Sequence, residues 1–255
     1  MPPKISIVTC SFNHGWCLEE TILSVINQNY PNLEYIVIDG GSTDRTGEIL
    51  AKYKDHFAYV VSEKDKGQGD ALRKGFNRAT GDVLGWLCSD DLLEPGALRE
   101  VGQLFAARPE LDVVFGDTIF IDKQGNPTRK YKTLPFNRWL WLNTWNYIPQ
   151  PSTFWTRRVY EKVGGLDQNL EAFMDKELFA RFSDVAELKH FRKFWSRMRL
   201  YPEIKSIADK STSCACHYSL EVRYLGNRTP ARRRVCRAAA KAVRVCWKGA
   251  TGCYW

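Results

Sequence analysis

Ser89-Asp90-Asp91 closes the apolar run from Val83 to Cys88, so a hydroxyl and two adjacent carboxylates follow directly on a segment suited to burial. Read as a strand, the run delivers these groups to its C-terminal end, where open α/β sheets bind ligands. Two neighbouring carboxylates are costly to hold together without a cation or strong hydrogen bonds. A divalent metal accompanying a phosphate ligand would satisfy them. The other reading is a pair of helix-capping acids ahead of the LLEPGAL segment at 92–98.

Asp39 is a second acid of this kind. It ends the β-rich run Leu33 to Ile38 and is followed by Gly40-Gly41-Ser42-Thr43-Asp44. An acid at such a strand end can accept hydrogen bonds from a ribose or a base N–H. The glycines allow close backbone approach, and Ser42 and Thr43 supply donors or cap the next helix. Neither a GxGxxG nor a GxxxxGK[ST] loop occurs, which argues against a Rossmann dehydrogenase and a P-loop NTPase.

The elements that must position these acids follow from periodicity. Ile5 to Cys10 reads as a first strand, and Cys17 to Asn29 as a helix with Leu18, Ile22, Val25 and Ile26 on one face. The strand at 33–38, a helix from Arg45 to Tyr53, a strand from Phe57 to Ser62 and a helix from Ala71 to Ala79 continue the alternation into Val83. Such a repeat predicts a mostly parallel sheet with crossover helices. It sets four strand ends on one rim, at Thr9 to Phe12, Asp39, Ser62 to Asp65 and Ser89 to Asp91. Beyond it, a helix from Gly96 to Ala107, a strand from Leu111 to Asp117 and a hairpin through 118–126 are expected. The aromatic residues between Pro135 and Trp155, Trp145 among them, read mainly as packing for a lid helix.

The 255 residues suit one large α/β domain with an appendage. The net charge of +8 is uneven: residues 230–255 carry seven Lys or Arg and no acid. The body is therefore near neutral, which weakens a nucleic-acid reading. From Arg232 to Lys248 a helical wheel groups Val235, Ala239, Ala242 and Cys246 opposite Arg233, Arg237, Lys241, Arg244 and Lys248. This is a basic amphipathic helix that can lie on an anionic membrane, or else a solvated tail. The eight cysteines lack the spacing of a disulfide scaffold, and Cys214-Ala215-Cys216-His217 is at most half a zinc site. With no evident signal peptide and no apolar run near the roughly 18 residues of a spanning helix, a cytoplasmic chain is expected, with peripheral contact to the inner membrane face through 230–255.

The order and spacing of SIVTCSFNHGWCLEETILSVINQNYPNLEYIVIDGGSTDRT at 6–46, EKDKGQGDALRKGFNRATGDVLGWLCSDD at 63–91 and PGAL at 95–98 resemble glycosyltransferase family 2, with the GT-A fold. The resemblance covers about residues 1–180. It implies a single Rossmann-like domain at 1–205, a connecting segment at 206–229 and the basic tail at 230–255. It implies inverting transfer from a nucleotide-diphosphate sugar to a hydroxyl of a glycan or lipid-linked acceptor, with Mn²⁺ or Mg²⁺. Asp91 resembles the direct metal ligand and Asp90 its neighbour on the ribose side, with Ser89 completing the motif. Asp39 resembles the acid that holds the base; Thr9, Ser11 and Asn13 frame the nucleotide; Asp65, Gly69 and Asp70 approach the ribose and diphosphate. Asp117 and the Gln150-Pro151-Ser152-Thr153 segment resemble donor-site elements, with Gln150 and Ser152 facing the sugar. Asp175 resembles the catalytic base, held ionised by its helix N-terminus, while Glu177 reads as a solvated helix acid. Tyr201 stands where related chains carry a histidine, which leaves the metal shell open and keeps a non-catalytic nucleotide-sugar binder as an alternative. A sugar-phosphate nucleotidyltransferase is the other alternative, but the loop from Ser11 to Trp16 has one glycine and no Lys or Arg.

Overall fold

The computed structural model of the protein describes residues 2–253 except 145, 168, 171 and 205–209. Trp145 therefore lies outside the described residues. The first half builds β1 (Ile5–Ser11), α1 (Leu18–Ile26), β2 (Leu33–Asp39), α2 (Thr46–Lys52), β3 (Tyr59–Ser62), α3 (Gln68–Arg78) and β4 (Val83–Cys88). These strands pair in parallel in the order β3-β2-β1-β4. Their near-continuous apolar composition reflects helices on both faces of the sheet. Val8, Ile36 and Leu84 face one core with Leu72 and Phe76 of α3. Ile5, Ile7 and Val37 face the other with Leu18, Ile22 and Val25 of α1. Gly75 lets α3 lie close on β1, since a Cβ there would stand 2.3 Å from Val8 Cγ1.

The second half changes the sheet's character. After β5 (Leu92–Leu93) and α4 (Ala97–Ala107) come β6 (Val113–Ile121), β7 (Pro127–Tyr131), α5 (Arg138–Asn143), β8 (Thr153–Thr156), α6 (Arg157–Lys162), α7 (Met174–Val185) and β9 (Leu188–Arg199). The sheet continues as β4-β8-β6-β9-β5, with β7 on β6 as the expected hairpin. β8 is antiparallel to both β4 and β6, and β5 is antiparallel to β9. The expected parallel order thus describes the first half, and the whole sheet is mixed. Three strands, β5, β8 and β9, were not expected from the sequence. β5 and β8 have only two and four residues, and β9 mixes basic with aromatic residues and lacks a clean alternation.

Most of the aromatic stretch packs as expected: Trp141, Tyr147, Phe154 and Trp155 are buried, and Trp139 is exposed. Two further helices, α8 (Lys210–Leu225) and α9 (Pro230–Ala250), pack on α5. The basic side of α9 does not face solvent as a free stripe. Arg237 Nη2 lies 2.7 Å from Glu221 Oε2, and Arg233 Nε lies 3.3 Å from the same oxygen. Arg244 donates to the Tyr131 hydroxyl, and the Lys248 ammonium sits 4.4 Å from the centre of that ring. Acceptors on the body draw this face inward and turn Val235, Ala239, Ala242 and Cys246 outward.

Candidate active site

The register brings Ser11, Asp39 and Ser62 side by side at the ends of β1, β2 and β3, and sets Cys10 opposite Cys88 on β4. Beyond Cys88 the chain turns tightly, with Thr21 Oγ1 of α1 donating to the carbonyls of Ser89 at 2.8 Å and Asp91 at 2.9 Å. The two acids therefore emerge at the C-terminal rim of the parallel half. They are 6% and 5% exposed, too buried for solvated capping acids.

β9 supplies what holds them. Asp91 Oδ1 accepts from the Arg199 amide at 3.0 Å, and the Asp90 carbonyl accepts from Arg199 Nε at 3.0 Å. The guanidinium, fully buried, reaches on to Glu20 at 2.7 Å and the Lys123 carbonyl at 2.8 Å. Tyr201, at the position where a histidine was expected, donates its hydroxyl to Asp90 Oδ2 at 2.9 Å. Burial and Asp90 push the Tyr201 phenol far up, so it acts as a hydrogen-bond donor. Burial, with Asp90 beside it, also raises Asp91 well above the usual carboxylate range. Each carboxylate keeps one oxygen without a hydrogen-bond partner among the described residues.

Asp39 is fully buried and accepts four hydrogen bonds, from the Gly41 and Ser42 amides and from the hydroxyls of Ser42 and Ser62. In this state it braces the glycine loop. Thr9 points into the core, its hydroxyl 3.3 Å from that of Tyr35. Ser11 Oγ is buried at the rim with no partner, and Asn13 ties the first loop to the second through Ser42 and Thr43. Ser89 Oγ lies 2.6 Å from His14 Nδ1. Asp65 accepts from the Gly67 amide and closes on Gly40, where a Cβ would stand 2.9 Å from its Oδ2. Asp70 faces Arg73 and Lys74. Gln150 donates to the Trp86 carbonyl, and Cys88 Sγ lies 3.8 Å from its side-chain oxygen. Ser152 is wholly buried against the Asp117 carbonyl and Ser196. Asp117 is paired internally, with His190 Nε2 at 2.9 Å and the Thr133 amide at 2.9 Å.

Asp175 heads α7. Its Oδ1 accepts from the Lys176 amide at 2.8 Å, and its Oδ2 accepts from the Asn146 side chain. Burial outweighs these bonds and raises its pKa, opposite to the expectation from helix position alone. Gly69 packs on this turn, since a Cβ there would lie 3.0 Å from the Met174 sulfur. Gln68 reaches from the same turn of α3 to Cys88 Sγ at 3.5 Å. These contacts carry the geometry from Asp175 across to the paired acids.

The first turns of α7 are clamped from the C-terminal side. Phe173, just before the helix, has φ of 58°, an uncommon conformation for a bulky residue, and its ring meets His217 at 5.7 Å. Lys176 is buried, which lowers its pKa to about 7; it donates to the Thr144 carbonyl and lies 3.1 Å from His217 Nε2. Glu177 is fully buried, held by Arg181 at 2.6 Å and the Tyr224 hydroxyl at 2.8 Å. It is a buried ion-pair anchor, not the solvated acid expected.

Residues 6–164 match the sequence description "Glycosyl transferase family 2". The chain belongs to glycosyl transferase family 2. An uncharacterized glycosyltransferase of Mycobacterium tuberculosis (strain H37Rv) is 30% identical over 187 residues, which is 72% of this chain and 71% of that one. Two solved structures share the fold. TarS 1–349 of S. aureus, in complex with UDP-GlcNAc, superposes with a TM-score of 0.69 at 16% identity, over 93% of this chain and 71% of that one. The mannosyltransferase PcManGT of Pyrobaculum calidifontis, in complex with GDP-Man and Mn²⁺, gives 0.65 at 17% identity, over 94% and 70%. This chain spans 42% of a longer TarS chain.

The GT-A fold and glycosyltransferase activity of this family 2 chain give its rim a chemical purpose. Cys88, Asp90 and Asp91 form the one group of three or more metal-ligating side chains among the described residues, with ligand atoms within 4.8 Å of one another. Cys214, Cys216 and His217 form no such group. The two unpartnered carboxylate oxygens fit a hard divalent ion. Sequence reasoning missed Asn146 and Lys176 and the roles of Arg199 and Tyr201. Only the last two carried a signal, as Arg199-Leu200-Tyr201 standing where related chains carry arginine-x-histidine.

Asn146 lowers the Asp175 pKa, so replacing it moves the acid limb of a base-dependent rate to higher pH. Asn146→Ala should shift that limb of the kcat–pH profile upward relative to the parent enzyme. An unmoved limb would show that Asp175 does not set it.

Proposed function

We propose that this enzyme moves a sugar from a nucleotide-diphosphate sugar to a hydroxyl of a glycan or lipid-linked acceptor, with inversion. The observation that carries the proposal is the pair of buried carboxylates at the rim, each with an oxygen free of hydrogen bonds among the described residues, connected through Cys88, Gln68 and the Gly69–Met174 contact to a third, half-buried acid, Asp175. Asp91 and Asp90 would hold Mn²⁺ or Mg²⁺. When bound, such an ion neutralises the charge gathering on the leaving diphosphate.

The chain's own groups account for the remaining chemistry. Arg199 and Tyr201 fix the two carboxylates so that their unpartnered oxygens stay aimed at the rim. Ser11, with its orphaned buried hydroxyl, offers a polar contact to the nucleotide beside Asn13 and Ser89. Asp39 shapes the glycine loop around the base, and Asp65, Gly69 and Asp70 line the approach to the ribose and diphosphate. Asp175, its raised pKa nearer neutrality, takes the acceptor proton as the hydroxyl attacks, a step typically worth roughly 10²–10⁴-fold in rate. Asn146 orients that carboxylate. Gln150 sits beside Cys88 at the sugar end, whereas the internal bonds of Thr9, Ser152 and Asp117 favour supporting roles.

Asp91→Asn should weaken Mn²⁺-dependent binding of a nucleoside diphosphate and abolish transfer. Asp175→Asn should keep that binding and lower kcat by roughly 10²-fold or more. Unchanged transfer in either variant contradicts the role given to that residue, and turnover of the parent enzyme excludes a purely binding protein.

We also propose that the outer face of α9 rests on an anionic membrane, on the cytoplasmic side, where a lipid-linked acceptor would be met. No helix among the described residues is long and apolar enough to cross a membrane. Val235, Val243 and Val245 are 68%, 46% and 48% exposed, and Arg232, Arg234 and Lys241 project beside them. Each such cation contributes about 1 kcal/mol near an anionic surface. Reversing Arg232, Arg234 and Lys241 to Glu should reduce cosedimentation with anionic vesicles and leave transfer to a soluble acceptor intact. Equal cosedimentation would refute the contact.

A further inference from the structure

One thiol stands at a rim whose other candidate ligands are oxygens. Cys10 and Cys88 are register partners on β1 and β4. Gln68 Nε2 lies 3.7 Å from the first sulfur and 3.5 Å from the second. Cys88 Sγ stands within 4.8 Å of the ligand atoms of Asp90 and Asp91. A structural thiol packs among apolar side chains. Cys88 packs on the core at one side and at the other meets the amide side chains of Gln68 and Gln150 and the carboxylates of Asp90 and Asp91.

This donor set differs from what a hard ion needs. Mg²⁺ takes oxygen ligands and keeps several waters, whereas thiolate sulfur favours ions such as Zn²⁺. One sulfur and two carboxylate oxygens supply three positions of a tetrahedral shell, and they include the oxygens that would hold Mn²⁺ or Mg²⁺. We propose that Cys88, with Asp90 and Asp91, makes this centre a binding site for thiophilic divalent cations that compete with Mn²⁺ or Mg²⁺ for the two carboxylates. The inference rests on the reading of Asp90 and Asp91 as metal ligands. On binding, the Cys88 thiol gives up its proton to solvent and forms a sulfur–metal bond, with no change in oxidation state.

The test uses the full chain with Cys214, Cys216, Cys236 and Cys246 replaced by Ser, so that accessible sulfur elsewhere adds no signal. Cd²⁺ is titrated while thiolate-to-metal charge-transfer absorption is followed in the ultraviolet, and Mn²⁺ binding is measured separately by electron paramagnetic resonance. The parent protein should develop the band; Cys88→Ser should lose it, and Cys10→Ser should keep it. Zn²⁺ should displace Mn²⁺ from the parent roughly tenfold or more effectively than from Cys88→Ser. Retained Mn²⁺ binding by Cys88→Ser shows that the variant is folded. If Mn²⁺ binds the parent but Cd²⁺ gives no band, or the band survives Cys88→Ser, the thiol inference alone is overturned. If the parent binds neither ion, the carboxylate reading falls and takes this inference with it.

Discussion

Holding two carboxylates side by side, nearly out of water, is the constraint on which the rest of the site depends. Burial and mutual repulsion both oppose it, and Asp91 carries the consequence as a strongly raised pKa. The fold answers with donors from a distant strand. The Arg199 amide, its guanidinium and the Tyr201 hydroxyl all bond to Asp90 or Asp91. They satisfy part of each acid and leave part free. A fully satisfied pair would be a structural anchor like Glu177. The half-satisfied pair at the rim is instead ready for a cation.

The mixed sheet follows from the same need. Its parallel half gathers four strand ends at one rim, which is what nucleotide recognition requires. Within that half Thr21 holds the backbone of Ser89 and Asp91, but among the described residues nothing there bonds to the two carboxylates. β8 and β6 extend the sheet, and β9 arrives parallel to β6, ending at Arg199 directly under the acids. The C-terminal helices serve Asp175. His217 and Tyr224 of α8 reach Lys176 and Glu177, the two residues after Asp175. The stretch read as connector and tail therefore braces the helix that presents the candidate base.

The first half of this architecture was legible because its signals are local. Each strand and helix from Ile5 to Cys88 announces itself by periodicity, and Ser11, Asp39, Ser62 and Cys88 meet because parallel register follows from the repeat. Asp90 and Asp91 stood out as paired acids ending an apolar run, and the family resemblance pointed to Asp175 as the candidate base. The rest depended on contacts that no window of sequence contains. Arg199 is 108 positions from Asp91, and Tyr201 is 111 from Asp90. Helix position suggested an ionised Asp175, but the burial that raises its pKa comes from tertiary packing. The wheel grouped the residues of α9 by face, with Arg233, Arg237, Arg244 and Lys248 together and Lys241 as the exception that stays exposed. It could not tell which face the body would claim, and Glu221 and Tyr131 claimed the basic one.

The most direct measurement is the anomalous difference map of crystals grown with Mn²⁺ and a nucleoside diphosphate. A manganese peak bonded to a carboxylate oxygen of Asp91, at about 2.1 Å as expected for such hard ions, and bridging to the diphosphate is the predicted result. A diphosphate bound at the rim with no metal on Asp91, or manganese held elsewhere in the protein, would contradict it.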